Sequence, residues 1–276
     1  MNCLQELRRH YGFDEGYALY RMVMEECFGL THTDILLGKD SQISEENKER
    51  LSEITDRLLE NEPIQYVLGY ATFCGRRFAV RPGVLIPRPE TEELVGAALE
   101  LCATMQADGR AARVLDIGTG SGCIAVSMAL AGCEATAMDI SEDALAIASG
   151  NAARLNAKVS FVRENILHPA PTDNRWDIVV SNPPYVCVGE AADMERNVLD
   201  YEPHTALFVP DTDPLLFYRA IASYSLSHLD VGGALCLEIN PAFHTQISCL
   251  LASFGFRDVN IITDRYGKKR IATALL

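Results

Sequence analysis

Short apolar strands alternate with helical segments from residue 110 onward. The segments with the composition of strands are 113–117, 135–140, 159–163, 178–181, 234–239, 259–262 and 271–275. Helical periodicity predicts helices over 122–131, 142–155, 213–229 and 241–254. Strands that alternate with helices are typical of a mostly parallel sheet with helices packed on its faces. This region therefore predicts a seven-stranded α/β domain, in which ligands bind beyond the carboxyl ends of the strands.

The first 75 residues have a different pattern, in which apolar residues recur at helical spacing. One helix is expected from residue 14 to Gly29, and another from the N-cap Ser44 to the residues before Pro63. Residues 64–90 then change to short extended pieces, with a hairpin around Gly75. We therefore expect a small N-terminal helical domain over 1–75, a β-hairpin linker over 64–90 and the α/β domain over 91–276.

The chain is acidic, with a net charge of −14 over 276 residues. Residues 1–75 carry half of this excess, with 14 Asp and Glu against seven Lys and Arg. A protein that binds the phosphate backbone of a nucleic acid usually has a surface rich in Lys and Arg. The charge therefore argues against nucleic acid as the main partner and suits a basic protein partner.

The cysteines and the apolar segments indicate the compartment. Nine scattered cysteines include no C-x-x-C pair, which predicts reduced thiols rather than disulfides or a zinc site. No apolar run approaches the ~18 residues of a membrane span, and residues 1–10 lack the apolar core of a secretory signal. We therefore expect a cytoplasmic protein that contacts no membrane.

A glycine-rich turn, DIGTGSG over 116–122, joins the first strand of the α/β domain to its first helix. Glycines permit positive φ and let a ligand approach the backbone, and Asp116 suits the amino group of a ligand better than a phosphate. Asp139 ends the next strand about 20 residues on, where a carboxylate can bind both hydroxyls of a ribose. These features favour S-adenosylmethionine over NAD, while a tight turn without a ligand is the simpler alternative.

The fourth strand runs into a stiff bend at Asn182-Pro183-Pro184-Tyr185. Consecutive prolines lack N–H groups and fix φ, so neither strand nor helix continues, and Pro183 holds Asn182 extended. The carboxamide of Asn182 offers an acceptor and two donor hydrogens, which suits a planar NH₂ target such as an amide or a base amine. The alternative is a loop with a surface tyrosine, because Asn-Pro is a common turn signal. Asp177, just before this strand, is expected to face solvent.

Together, the glycine turn and the bend resemble class I Rossmann-like methyltransferases that act on a planar nitrogen. Segments 63–69, 84–92 and 201–207 narrow the resemblance to the release factor glutamine methyltransferases (PrmC/HemK), and it extends through nearly the whole chain. Asn-Pro-Pro-Tyr is shared with DNA adenine methyltransferases, whereas IPRPETE at 86–92 is far more particular. The fold implied is a seven-stranded, mostly parallel sheet preceded by a small helical domain.

This resemblance implies an activity and its reactants. The enzyme would transfer a methyl group from S-adenosyl-L-methionine to the side-chain amide nitrogen of the glutamine in the Gly-Gly-Gln motif of bacterial class I peptide chain release factors. The product would be S-adenosyl-L-homocysteine, and the N-terminal domain would help to bind the release factor. No metal is expected, because the sulfonium is already an activated leaving group.

The expected site residues fall into three overlapping groups. The cofactor-binding group is Asp116, Gly118, Thr119, Gly120, Ser121, Gly122, Asp139, Asn165 and Asn182. The catalytic group is Asn182, Pro183 and Tyr185, and these three with Pro184 and Arg88 form the substrate-binding group. Asn182 and the carbonyl of Pro183 are expected to accept the two N–H groups of the target amide, while Tyr185 packs on its plane.

Two places depart from the family pattern, and two other functions compete. Asn165 stands where the family often has Asp, beside Ile166, so it either binds the adenine amino group or caps a turn. Asn240-Pro241 replace the glycine of Glu-x-Gly.

The first rival is a methyltransferase with the same bend that acts on a ribosomal-protein glutamine or on adenine in nucleic acid. The second is a non-enzymatic dinucleotide- or adenosine-binding protein, which has no use for the bend.

Overall fold

The computed structural model describes residues 3–105 and 110–276. Contacts between Cα atoms divide the chain into a first unit, residues 1–70 and 195–201, and a second unit, residues 71–194 and 202–276. Residues 1 and 2 of the expected helical domain lie outside the described residues. The domain ranges 1–75, 64–90 and 91–276 stay predictions.

Secondary structure covers most of both units. The helices are α1 (Cys3–Tyr11), α2 (Phe13–Phe28), α3 (His32–Leu36), α4 (Glu45–Leu59), α5 (Ile64–Leu68), α6 (Pro89–Met105), α7 (Cys123–Leu130), α8 (Glu142–Arg154), α9 (Arg196–Tyr201), α10 (His204–Leu207), α11 (Leu216–His228) and α12 (His244–Ser253). Single 3₁₀ turns lie at Lys39–Gln42, Val188–Asp193 and Pro241–Phe243. The strands are β1 (Tyr70–Phe73), β2 (Arg76–Ala79), β3 (Arg113–Ile117), β4 (Glu134–Asp139), β5 (Val159–Arg163), β6 (Trp176–Ser181), β7 (Val186–Cys187), β8 (Phe208–Val209), β9 (Leu229–Glu238), β10 (Arg257–Thr263) and β11 (Lys269–Leu275).

The first unit is helical, as its periodicity predicted. Helix α2 ends at Gly29, whose left-handed φ of 69° lets its N–H reach the carbonyl of Met24. Helix α4 begins at Ser44, whose hydroxyl accepts a hydrogen bond from the N–H of Asn47. Both predicted helix ends are therefore confirmed. The apolar stripes of these helices form one buried cluster that includes Leu7, Tyr20, Val23, Met24, Leu51, Ile54 and Leu58.

A seven-stranded sheet of order β10-β11-β9-β6-β3-β4-β5 organises the second unit. Strand β11 runs antiparallel to both of its neighbours, and the other pairs are parallel. This confirms the predicted mostly parallel sheet of seven strands. The chain builds β3, β4 and β5 towards one edge and then returns to place β6 on the other side of β3. The switch point between β3 and β6 is where an open α/β sheet binds ligands.

The central strands of this sheet are buried on both faces, as the burial of every residue of β6 shows, which explains why they read as continuous apolar runs. Ile178 and Val180 of β6 belong to the core cluster shared with α6 and α7. Val179 between them belongs to the cluster shared with α11 and α12. None of the described helices is long and apolar enough to cross a membrane.

The predicted elements of the sheet are present, with shifts at their ends. Strands β3 and β5 have the predicted bounds, whereas β6 and β9 begin earlier, at Trp176 and Leu229. The predicted helices over 122–131, 142–155, 213–229 and 241–254 correspond to α7, α8, α11 and α12. The sequence reasoning missed the parallel pair β7–β8, because two-residue strands leave no readable alternation.

The expectation that Asp177 faces solvent is wrong. This residue is 6% exposed, and its carboxylate accepts hydrogen bonds from Arg110 at 2.7 Å and from Arg113 at 3.0 Å. Burial alone would raise the pKa of Asp177, but the two guanidinium groups hold it below its ordinary value. The reason is tertiary: the start of β6 lies beside the start of β3, which brings the arginines to the carboxylate.

Candidate active site

A cavity of about 420 Å³ opens beyond the carboxyl ends of β3, β4 and β6. Ile117 at the end of β3 pairs with Ser181 at the end of β6, so the glycine turn and the bend leave the sheet side by side. The hydroxyl of Ser181 donates to the carbonyl of Ile117 at 2.6 Å and ties the two strand ends together. Seven of the predicted site residues line the cavity: Gly118, Gly120, Asp139, Asn165, Asn182, Pro183 and Pro184.

The three glycines of the turn have two different functions. Gly118 and Gly120 have φ of 75° and 54° and line the cavity. An added Cβ at either would meet no protein atom within 4 Å, so the backbone leaves open space for a ligand there. At Gly122 an added Cβ would lie 2.9 Å from the Cβ of Ala148. Gly122 therefore permits close packing of the turn on α8 and does not line the cavity.

Asp139 fixes the glycine turn from the next strand. Its Oδ2 accepts the N–H of Gly120 at 2.9 Å, and its Oδ1 accepts the N–H of Ser141 at 2.9 Å. An ionised carboxylate has about four lone-pair sites, so two remain after these contacts. Asp139 can therefore hold the turn and still accept hydroxyl groups from a ligand in the cavity.

Asp116 lies beneath the turn rather than in the cavity wall. Its side chain is 0% exposed, and its Oδ2 accepts the hydroxyl of Thr119 at 2.6 Å and the N–H of Ala125 at 3.1 Å. Thr119 and Ser121 are also buried. Direct contact between these side chains and a ligand stays a prediction. The hydroxyl of Thr119 braces the turn through Asp116 Oδ2, whereas Asp116 Oδ1 and the Ser121 hydroxyl are buried with no hydrogen-bond partner among the described residues.

Burial raises the pKa of Asp116 from 3.8 to about 7, against the opposing hydrogen bonds from Thr119 and Ala125. A carboxyl that stays protonated in the folded state makes stability fall as the pH rises from its ordinary value to its folded value. We expect the free energy of unfolding of the cofactor-free protein to fall between pH 4 and pH 7 by at most about 4 kcal/mol from this group, at ~1.4 kcal/mol per pKa unit. Asp116→Asn should flatten the profile, measured by urea unfolding across that range.

A matched control for this experiment is Asp143→Asn, which changes an exposed acid in the first turn of α8. Its stability profile should run parallel to that of the wild type. A profile for Asp116→Asn that also runs parallel would contradict the raised pKa.

The bend places Asn182 against the first turn of α6. Asn182 Nδ2 donates to the hydroxyl oxygen of Thr91 at 3.2 Å, and Pro183 and Pro184 continue the cavity wall. The amide group of Asn182 is thus held on one side by the protein and borders the cavity on the other. From the sequence, Thr91 is a candidate for the start of α6 and has no predicted role at the site, since a threonine in the first turn of a helix is ordinary.

Tyr185 lies outside the cavity wall. Its hydroxyl donates to Glu238 at 3.0 Å and lies 3.5 Å from a guanidinium nitrogen of Arg270. Burial, followed by the charge of Glu238, raises the pKa of the Tyr185 phenol. The expected packing of this ring on a target amide stays a prediction. The ring is half-buried and packs against the cluster below the bend, where Glu238 binds its hydroxyl.

Arg88 also lies outside the cavity wall. Its guanidinium pairs with Glu202, which is 4% exposed and also accepts the N–H of Ile86 at 3.0 Å. Residues 83–85 just before this anchor line the cavity. Arg88 and Glu202 therefore position a wall of the cavity, and the expected direct role of Arg88 in binding a substrate stays a prediction.

The two departures from the family pattern have local structural roles. Asn165 Oδ1 accepts the N–H of Leu167 at 3.0 Å, which supports a turn-capping role for Asn165. Asn165 and Ile166 also line the cavity, so both stay candidates for contact with an adenine ring. Asn240 Nδ2 donates to the carbonyl of Tyr185 at 3.1 Å and to Glu190 at 3.1 Å. The asparagine that replaces glycine at 240 therefore anchors the segment that follows the bend.

A mostly parallel sheet of this order, with a glycine turn after β3 and a ligand-sized cavity beyond, defines the class of Rossmann-like methyltransferases. Residues 93–199 match the family model of the methyltransferase small domain, and residues 3–69 match that of the PrmC N-terminal domain. A solved methyltransferase from Pyrococcus furiosus superposes with a TM-score of 0.53 at 19% identity, covering 81% of this chain and 98% of that one.

Relatives over the full length narrow the class to a family. The release factor glutamine methyltransferase of Bacteroides thetaiotaomicron is 47% identical over 98% of this chain and 96% of its own length. That of Flavobacterium psychrophilum is 37% identical over 97% of this chain and 94% of its own. The chain belongs to the release factor glutamine methyltransferase family.

Proposed function

We propose that this protein transfers a methyl group from S-adenosyl-L-methionine to the side-chain amide nitrogen of the glutamine in the Gly-Gly-Gln motif of bacterial class I peptide chain release factors. The single observation that carries this function is the position of Asn182 beside the glycine turn, at the rim of one cavity. The side-chain amide of a target glutamine at that rim meets the carboxamide of Asn182, which can accept and donate the same hydrogen bonds. The other product is S-adenosyl-L-homocysteine.

The residues around the cavity fit the proposed cofactor. Gly118 and Gly120 leave open space along the backbone, and Asp139 offers carboxylate oxygens to ribose hydroxyls. Asn165 and Ile166 lie further along the wall, where an adenine ring would be held. When bound, S-adenosylmethionine supplies an electrophilic methyl group carried on a sulfonium.

The protein's own contribution is to orient the target nitrogen. An amide nitrogen is a weak nucleophile, because its lone pair is delocalised into the carbonyl. Asn182 Oδ1 and the carbonyl oxygen of Pro183 accept its two N–H groups, which turns the nitrogen towards the methyl donor. Orientation of this kind contributes ~7–11 kcal/mol at best, and acceptors arranged beforehand stabilise the charge that develops in the transition state. The proton leaves to water afterwards.

The partner and the compartment follow from this substrate. Release factors act on ribosomes, so we infer a cytoplasmic location. The acidic residues of the first unit suit a basic surface of the partner, because surfaces of opposite charge attract each other electrostatically. We keep the N-terminal domain as the candidate for binding the release factor, with the α/β domain holding the cofactor.

The test is mass spectrometry of a release factor after incubation with the protein and S-adenosylmethionine. We expect a gain of one methyl group on the peptide that contains Gly-Gly-Gln, and no gain when that glutamine is changed to alanine. Parallel reactions with a ribosomal protein and with DNA test the rival substrates. Methylation of either one, with the release factor unmodified, would overturn the proposed function. Calorimetric titration with NAD and S-adenosylmethionine separates an enzyme of this class from a dinucleotide-binding protein.

A further inference from the structure

A chain of hydrogen-bonded side chains runs from Asn182 into the interior of the second unit. Asn182 Nδ2 donates to Thr91 Oγ1 at 3.2 Å, and the Thr91 hydroxyl donates to Glu238 Oε2 at 2.7 Å. Thr91 is 3% exposed and Glu238 is 1% exposed. Neither residue lines the cavity, so neither can act by touching a substrate.

The direction of these hydrogen bonds follows from which groups can donate. An ionised carboxylate only accepts, and the two oxygens of Glu238 accept from Thr91 and from the Tyr185 hydroxyl, the latter at 3.0 Å. A hydroxyl has one proton, and Thr91 gives its proton to Glu238. Towards Asn182, the oxygen of Thr91 can therefore only accept, and it takes the N–H of the carboxamide.

Burial, hydrogen bonds and neighbouring charges act in opposite directions on the pKa of Glu238. Burial raises the pKa of this carboxyl, while the hydrogen bonds from Thr91 and Tyr185 and the charge of Arg270 act in the opposite direction. Glu90 in the first turn of α6 adds a weaker raising effect. The hydrogen bonds that Glu238 accepts from Thr91 and Tyr185 favour its ionised form, in which each oxygen can only accept.

We propose that Thr91 is a positioning residue that holds the carboxamide of Asn182 with its Oδ1, rather than its Nδ2, directed at the target amide. The oxygen and nitrogen ends of a carboxamide have nearly the same shape, so without a fixed partner the group could rotate by half a turn. This inference rests on the proposed function, in which the target nitrogen presents two N–H groups that need acceptors. A reversed Asn182 would set N–H groups against N–H groups and leave the target without an acceptor from this side chain.

Thr91→Val tests the role, because valine has nearly the shape of threonine and can neither donate nor accept. We expect kcat for release factor methylation to fall roughly ten- to a hundredfold, the size of effect that misplacing a reacting group can have. The KM for the release factor and the Kd for S-adenosylmethionine should each change by less than about threefold. Thr91→Ser, which keeps the hydroxyl, should restore kcat to within about threefold of the wild type.

A double-mutant cycle separates positioning from general damage. If Thr91 acts through Asn182, Thr91→Val in the Asn182→Ala background should lower kcat by less than about twofold further. Thr55→Val is the matched control, since Thr55 is 1% exposed and its hydroxyl bonds to the carbonyl of Leu51. It removes a buried threonine hydroxyl from the first unit, and kcat should stay near that of the wild type.

Three results would overturn the inference: a Thr91→Val variant that keeps more than about half of kcat, a Thr91→Ser variant as slow as Thr91→Val, or an undiminished loss in the Asn182→Ala background. Each of these requires a wild-type protein that methylates the release factor. A wild type that leaves the release factor unmodified would instead overturn the proposed function, so the two failures are distinguishable.

Discussion

Asn182→Ala should lower kcat for release factor methylation by roughly 10²–10³-fold, the effect of removing one prearranged hydrogen-bonding group from a transition state. The variant loses the acceptor that borders the cavity beside the glycine turn. Cofactor binding should weaken much less, because Gly118, Gly120 and Asp139 remain in the cavity wall. The measurements are single-turnover kinetics with release factor and calorimetry with S-adenosylmethionine.

The control for this variant is Asn174→Ala, which removes an exposed carboxamide from the loop before β6 and should leave kcat unchanged. A near-normal turnover of Asn182→Ala would refute the role of its carboxamide. A loss confined to cofactor affinity would assign Asn182 to holding the cofactor and leave the orientation of the target nitrogen to other groups.

The second large effect is expected at Asp139. Its two oxygens accept the N–H groups of Gly120 and Ser141, and hydrogen bonds to a charged group contribute about 1.5–3 kcal/mol each. Asp139→Ala removes these bonds and the proposed ribose contact together. We expect the Kd for S-adenosylmethionine to rise by roughly 30- to 150-fold, which corresponds to about 2–3 kcal/mol.

Asp143→Ala serves as the comparison for this loss of charge, since Asp143 is exposed in the first turn of α8, four residues further along the chain. Its Kd for S-adenosylmethionine should remain within about twofold of the wild type. Thermal unfolding without cofactor should be recorded for both variants, because a lower melting temperature would report a loosened glycine turn. If Asp139→Ala bound the cofactor as tightly as the wild type, the ribose contact would be wrong.

Local sequence patterns were enough to predict the sheet and the strand ends at which the cavity lies. Strands β3 and β5 have their predicted bounds, because apolar alternation and turn residues act over a few neighbours. The glycine turn and the double proline were also readable, since each restricts the backbone within its own segment. Parallel pairing then brings the ends of β3 and β6 together, as the alternation of strands and helices implies.

The directions of individual side chains could not be predicted in this way. Asp116, Tyr185 and Arg88 were all expected to contact a ligand, which stays a prediction. Each also has a protein partner that the sequence did not reveal: Thr119, Glu238 and Glu202 respectively. Residue type and spacing say which groups can bind a ligand. They do not say whether a buried partner already occupies the group.

By itself, the sequence determined an α/β sheet, a glycine turn and a rigid bend at neighbouring strand ends, together with the family to which such a chain belongs. Only the tertiary structure decided which polar groups face the cavity and which brace it from behind. The physical reason is that these contacts join distant residues, with Asn182 lying 91 residues from Thr91, and Thr91 147 residues from Glu238. Such partners meet, and become buried enough to fix each other's direction, only after the sheet and its helices have assembled.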